Sequence, residues 1–324
     1  MGGLRHKMAL DMEKSAFLFA GQGSQYAGMG KDLYEAFPES KAVFDKADEV
    51  LGFGLKKYCF EGPEEKLKIT HISQPAILTI SIAVFQAFKA RVKNVEPAFA
   101  AGLSLGEYSA LVAAGSLTFE DGLKLVRKRS EIMNLAAIRN PGKMAAVLDL
   151  PLDKIKAICA KAGAEIANIN APGQVVISGK AQALEKAKEL CSQAGAKRVI
   201  ELEVSGPFHS SLMFAASAEL KQVLEDTPVC APAIPVVSNY TAQPQFSITQ
   251  IKENLIYQMY SSVKWEDSMR FILSQGITRF FEFGPGKVLK GLMRRIDANA
   301  QVVSIENKED IIKICSERSR PFTT

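Results

Sequence analysis

Five residues about a third of the way along the chain, Gly102-Leu103-Ser104-Leu105-Gly106, constrain the fold more than any other segment. They follow a short apolar run, Ala98 to Ala101, that reads as a strand. They precede a stretch from about Glu107 to Ala114 that reads as a helix and stops at Gly115. Strand, sharp turn and helix are the context required of the elbow pattern G-x-S-x-G. The glycines matter because side chains there would collide with neighbouring backbone. Such a turn lifts the serine hydroxyl into an open site and points helix N-terminal amides at it, where they can stabilise an oxyanion. Five small residues in this order also arise by chance; the flanking strand and helix give the match its weight.

An elbow of this kind implies an α/β frame, and the remaining pattern supplies one. Ala16 to Ala20 reads as a buried strand ending at the loop Gly21-Gln22-Gly23-Ser24-Gln25, with a helical pattern from about Gly28. Residues 72 to 92, opened by Ser73-Gln74-Pro75, repeat Ile77, Ile80, Val84 and Phe88 and predict a buried helix with its proline near the first turn. The middle of the chain has its own rhythm. A strand at Met144–Leu148 is followed by a helix at Leu152–Ala162 and strands at Glu165–Ile169 and Gln174–Ser178. A helix at Ala181–Ala194 and a strand at Arg198–Val204 complete the set. This order, βαββαβ, is ferredoxin-like. The expected architecture is therefore a large α/β domain, 15–139 and 207–310, with a small subdomain at 140–206 and flexible tails at 1–14 and 311–324.

A serine hydroxyl needs a base, and histidine is the usual one. The chain offers three: His6, His71 and His209. His6 lies in the expected tail and His71 reads as a capping or surface residue. His209 follows Val204-Ser205-Gly206-Pro207-Phe208, a strand end entering a turn, where catalytic side chains collect. It is the favoured base. Arg129 sits in a helical stretch, Asp121 to Asn134, flanked one turn away by Leu125, Val126, Ile132 and Met133, so it shares the inward face. Arg127 reads as solvent-facing. A buried arginine needs an anion, either an internal Asp or Glu or a ligand carboxylate, and periodicity does not choose between them.

Composition excludes several classes. Lys plus Arg number 40 against 35 Asp plus Glu, a net charge of +5 with no basic block, so no nucleic acid partner is expected. Five cysteines without a C-x-x-C pair argue for a reducing, cytoplasmic setting. Three dispersed histidines argue against a metal site. No apolar run reads as a membrane span, and the first residues lack a signal-peptide core. Gly284-Pro285-Gly286-Lys287 lacks the spacing of a phosphate loop and reads as a turn into a helix.

In order along the chain, Gly21 to Gln25, Ser73 to Ala76, the block GLSLGEYSA at 102–110, Arg129, Asn170 to Gln174 and Gly284 to Leu289 together resemble the malonyl-CoA:acyl carrier protein transacylase family. They also resemble the malonyl-selective acyltransferases of polyketide synthases, over residues 16 to 305. The resemblance implies an α/β-hydrolase-like large domain with a ferredoxin-like insert. It implies Ser104 as nucleophile, His209 as base and the backbone carbonyl of Gln258 orienting that histidine. The backbone amides of Gln22 and Leu105 would form the oxyanion hole, Arg129 would bind the malonyl carboxylate, and Asn170 would lie near the acyl or CoA group. Phe208, before the histidine, matches the malonyl-selective pattern and would crowd an α-methyl group, a discrimination of roughly 1–3 kcal/mol. The family usually places histidine before the serine, where this chain has Leu103. No cofactor is implied beyond malonyl-CoA and the phosphopantetheine of an acyl carrier protein, in fatty acid or polyketide synthesis, and a monomer is expected. Two rivals remain, a serine hydrolase and a non-enzymatic carrier-docking module.

Overall fold

A computed structural model describes residues 14–93 and 95–318. Among the described residues ten strands, β1 (Ser15–Phe19), β2 (Pro97–Gly102), β3 (Gly142–Leu148), β4 (Glu165–Ala171), β5 (Gln174–Lys180), β6 (Arg198–Glu201), β7 (Val236–Val237), β8 (Pro244–Gln245), β9 (Arg279–Phe283) and β10 (Gln301–Ile305), form two sheets. The six-stranded sheet runs β10-β9-β1-β2-β7-β8, parallel except for β8. The four-stranded sheet runs β4-β5-β3-β6 and is antiparallel throughout. Residues 142–201 thus follow the order strand, helix, strand, strand, helix, strand. The expected strand at Arg198–Val204 ends at Glu201, although Leu202 still donates its N–H to Met144 O.

The central strands are apolar on both faces because helices cover both, as parallel sheets require. Phe17 and Phe19 of β1, Phe283 of β9 and Phe85 and Phe88 of the helix Thr70–Arg91 interlock, mostly edge-to-face at centroid separations of 5.1–6.2 Å. Such pairs contribute about 0.5–1.5 kcal/mol each beyond the area they bury. The register pairs Phe19 with both Gly102 and Phe283, so three parallel strands end at one level. Loops leaving that edge define the crevice where α/β sheets bind ligands.

Four expectations change. Thr70–Arg91 is long and apolar enough to cross a membrane, contrary to the reading that no run is, yet 89% of its apolar window is buried inside the protein. It is a core helix. Pro75 lies inside that helix rather than in its first turn. A proline cannot donate to the carbonyl four residues back, and the His71 carbonyl accepts from Arg127 Nη1 at 2.7 Å instead. Arg127 is accordingly half-buried rather than solvent-facing, and it also pairs with Glu131. Residues 311–318, expected to be a flexible tail, belong to the helix Lys308–Arg318, which buries Ile311 and Ile314 in the main core. The stripe Ile311, Ile314 and Cys315 spans little more than one turn, too short a period to announce a helix by itself. The expected tails at 1–13 and 319–324, and His6, lie outside the described residues.

Candidate active site

The elbow follows β2 directly. Its helix, Leu105–Ala113, begins two residues before the predicted start, so Ser104 is the last residue before the first turn. A Cβ on Gly102 would overlap Gly106 O, and a Cβ on Gly106 would overlap Phe19 O. Both positions therefore demand glycine. Ser104 itself has φ 51° and ψ −100°, outside the conformations an L-residue adopts readily. The strain is held by Asn239, in the loop after β7. Its Oδ1 accepts from Ser104 N at 2.6 Å and its Nδ2 donates to Gly102 O at 2.8 Å. A Gly106→Ala variant is expected to lose at least about 1–3 kcal/mol of stability, the cost of overpacking a closed site; thermal denaturation will measure it.

Ser104 Oγ lies 2.8 Å from His209 Nε2, and His209 Nδ1 lies 2.8 Å from the backbone carbonyl of Gln258. A carbonyl can only accept, so the proton of neutral His209 sits on Nδ1 and Nε2 is left to accept from the serine. His209 is buried, and desolvation together with the nearby Arg129 cation lowers its pKa to about 4. The imidazole is therefore neutral, and able to take a proton, down to that pH. The sign is clear: only the form above the pKa can act as base. For any reaction in which His209 takes the serine proton, kcat/KM should stay level through neutral pH and fall to half near pH 4. A stopped-flow pH profile with half-maximum near 6.5, the unperturbed value, would contradict the burial argument.

Arg129, on the helix Phe119–Arg139, is 1% exposed. Nη1 donates to Gln74 Oε1 at 2.6 Å, and Nη2 donates to Ser104 Oγ at 3.1 Å and Gln258 Oε1 at 3.0 Å. Nε has no partner, and the guanidinium lies over the Tyr108 ring, 5.0 Å from its centroid. Among the described residues no carboxylate lies within ion-pair distance, so the internal salt bridge left open by periodicity is not formed. Burial pulls the pKa of Arg129 down, yet arginine keeps its charge in proteins. The result is a buried cation, touching the serine hydroxyl, whose hydrogen bonds all go to neutral acceptors. Such a group is primed for a carboxylate.

Glu107, Asn239 and the side chain of Gln258 complete the cluster, and sequence reasoning missed all three. Glu107 is fully buried and accepts from Asn239 N (3.0 Å), Gln245 Nε2 (2.9 Å) and Gln258 Nε2 (2.7 Å). Burial pushes its pKa up to about 7, against the pull of those donors and of Arg129. The only signal was its place inside the elbow block.

The other expected site residues are placed as follows. Gln22 donates through Nε2 to Thr70 Oγ1 at 3.3 Å and accepts from Gln74 Nε2 at 3.4 Å, which links it to the partner of Arg129. A Cβ on the preceding Gly21 would come within 2.5 Å of Leu103 O, so the Gln22 loop lies directly against the elbow. Leu105 is the first residue of the elbow helix, where backbone N–H groups have no acceptor within the helix. Phe208 is buried beside His209. Asn170, on β4, is buried with Oδ1 unpartnered and makes no hydrogen bond to Ser104, His209 or Arg129. Leu103 is half-buried and packs on the core. A cavity of about 310 Å³ opens beside Gln22, bounded also by Tyr26, Lys68, Glu203 and Val204. Among the described residues no cluster of His, Cys, Asp or Glu could hold a metal ion.

Comparison with known proteins gives a consistent picture. Residues 16–296 match the family model described as "Acyl transferase domain". The chain is 48% identical over 305 residues to the malonyl CoA-acyl carrier protein transacylase of Bacillus subtilis (strain 168), covering 93% of this chain and 96% of that protein. Among solved structures it resembles MCAT from Streptococcus pneumoniae, with a TM-score of 0.88 and 41% identity over 94% of this chain and all of that one. It also resembles the structure of a type II PKS acyl-carrier protein in complex with its malonyl-transacylase, PlMCAT:AntF. There the TM-score is 0.91 and the identity 37%, over 94% of this chain and all of that one.

Proposed function

Because the chain belongs to the malonyl CoA-acyl carrier protein transacylase family of acyltransferases, we propose that it moves a malonyl group from CoA to the phosphopantetheine thiol of an acyl carrier protein through a malonyl-Ser104 ester. One observation carries this reading: Ser104 Oγ sits between a neutral base, His209, and a buried guanidinium, Arg129, that has no carboxylate of its own.

His209 Nε2 takes the proton from Ser104 Oγ as Oγ attacks the thioester carbonyl carbon. The imidazolium that forms is held by the Gln258 carbonyl at Nδ1. The Gln22 and Leu105 amides receive the oxyanion, the second from the positive end of the elbow helix. When the C–S bond breaks, the departing CoA sulfur recovers the proton from His209. The carrier thiol then gives its proton to His209 and attacks the ester carbonyl; the ester C–O bond breaks, and Ser104 Oγ takes that proton back from His209. Arg129 exchanges neutral acceptors for the free malonyl carboxylate, a charge-assisted and bidentate contact. It selects a diacid and holds the ester in one orientation. The cavity beside Gln22 supports approach of a long, thin thioester arm from that side, and Phe208 supports a narrow acyl pocket. No cofactor enters these steps. The order β4-β5-β3-β6 supports a ferredoxin-like small subdomain, and the parallel sheet with its elbow supports a hydrolase-like large one.

The test is partition. Given malonyl-CoA and holo acyl carrier protein, the enzyme should deliver most malonyl groups to the carrier thiol. Release of free malonate at the same rate with or without carrier would mean a hydrolase. No consumption of malonyl-CoA would mean a docking module.

A further inference from the structure

Gln258 does more than present its backbone carbonyl. Its side-chain amide stands between Arg129 and Glu107, and its orientation is unambiguous. Arg129 has only donors, so the atom facing it is Oε1; the Ser104 carbonyl has only an acceptor, so the atom at 3.0 Å from it is Nε2. Nε2 also donates to Glu107 Oε2 at 2.7 Å. Glu107 therefore never touches the reacting atoms, yet one amide separates it from the guanidinium that does. The same Oε2 accepts from Asn239 N, the residue that clamps the elbow.

Resting on the malonyl-transfer reading above, we infer that Glu107 is a positioning residue for diacid selection, acting through the Gln258 amide to aim Arg129 at the acyl pocket. The physical reason is that every neighbour hydrogen-bonded to Glu107 is a donor. A carboxylate satisfies three donors at once. An amide in its place is uncharged and has one oxygen for three donors, so even with its NH2 turned to Gln245 it holds Gln258 Nε2 more weakly and leaves that side chain freer to rotate. Rotation turns Nε2 toward Arg129, opposing two donor groups and freeing the guanidinium to swing from Ser104. Arg129 then loses its fixed approach to the carboxylate, while the Ser104 Oγ–His209 Nε2 and His209 Nδ1–Gln258 O contacts stay in place.

Glu107→Gln is expected to raise KM for malonyl-CoA about tenfold, the worth of one charge-assisted hydrogen bond, with a smaller change in kcat. The preference for malonyl over acetyl transfer falls with it. Gln258→Met, which keeps the backbone carbonyl, should show the same fall. The double variant should fall no further than either single one, because both remove one relay. An unchanged acyl preference in Glu107→Gln, or losses that multiply in the double variant, would overturn the inference. Should Glu107→Gln fail to fold, Gln258→Met carries the test, and an unchanged preference there overturns it equally. A wild-type enzyme with no preference for malonyl would instead overturn the functional reading on which this rests.

Discussion

Ser104→Ala is expected to abolish the acyl-enzyme and to lower malonyl transfer by on the order of 10³-fold or more, as loss of a serine nucleophile does elsewhere. The substitution removes one oxygen and leaves the elbow glycines, the Asn239 clamp and the His209–Gln258 contact in place. The strained φ of 51° at this position is held by the backbone and Asn239, not by the hydroxyl. Folding should therefore survive, and a loss of activity reports chemistry. Arg129 also loses a neutral acceptor in this variant. Binding of malonyl-CoA should persist, so the signature is a fall in kcat with the substrate still held. Turnover by the variant at more than a few per cent of wild type would remove Ser104 from the mechanism.

The second large effect falls on Arg129→Ala. Removing one partner of a buried charge contact costs about 2–5 kcal/mol, or roughly 30- to 4000-fold in kcat/KM for malonyl-CoA. Acetyl-CoA has no carboxylate to lose. Its transfer should hold level or improve, because a neutral acyl group no longer shares the pocket with an unpaired cation. The ratio of the two activities is the measurement that matters. Equal losses for both acyl groups would reduce Arg129 to a structural residue, supporting Gln74 and Gln258. Some loss of stability is expected either way, since both glutamine oxygens are left facing a void. Thermal denaturation of the variant separates that cost from the change in acyl preference.

The parts of this site that could be read in the sequence are those with local signals. The elbow is written in five consecutive residues, and Arg129 in the helical spacing of the apolar residues around it. His209 emerged because only three histidines exist and one lies in the turn that follows an expected strand. The elements between 142 and 201 could be ordered because glycines punctuate each helix end, as at Gly163 and Gly195. What stayed hidden depends on long-range contacts. Glu107 meets Asn239 and Gln258 across separations of 132 and 151 residues, and no period or motif reports such a meeting. Strands β7 and β8 hold two residues each, too few for an alternating pattern. The helix Thr70–Arg91 was misjudged in another way. Composition cannot distinguish a helix surrounded by protein from one surrounded by lipid; packing on all sides decides it.

The malonyl group is expected to travel on Ser104, and one measurement meets that directly. Wild-type protein mixed with malonyl-CoA and quenched in acid within a single turnover should carry one malonyl group, localised by peptide mass analysis to the segment containing Ser104. After addition of holo acyl carrier protein, that mass should leave the peptide and appear on the carrier's thiol in equal amount. A carrier that becomes malonylated while the Ser104 peptide stays unmodified at every time point would contradict the account.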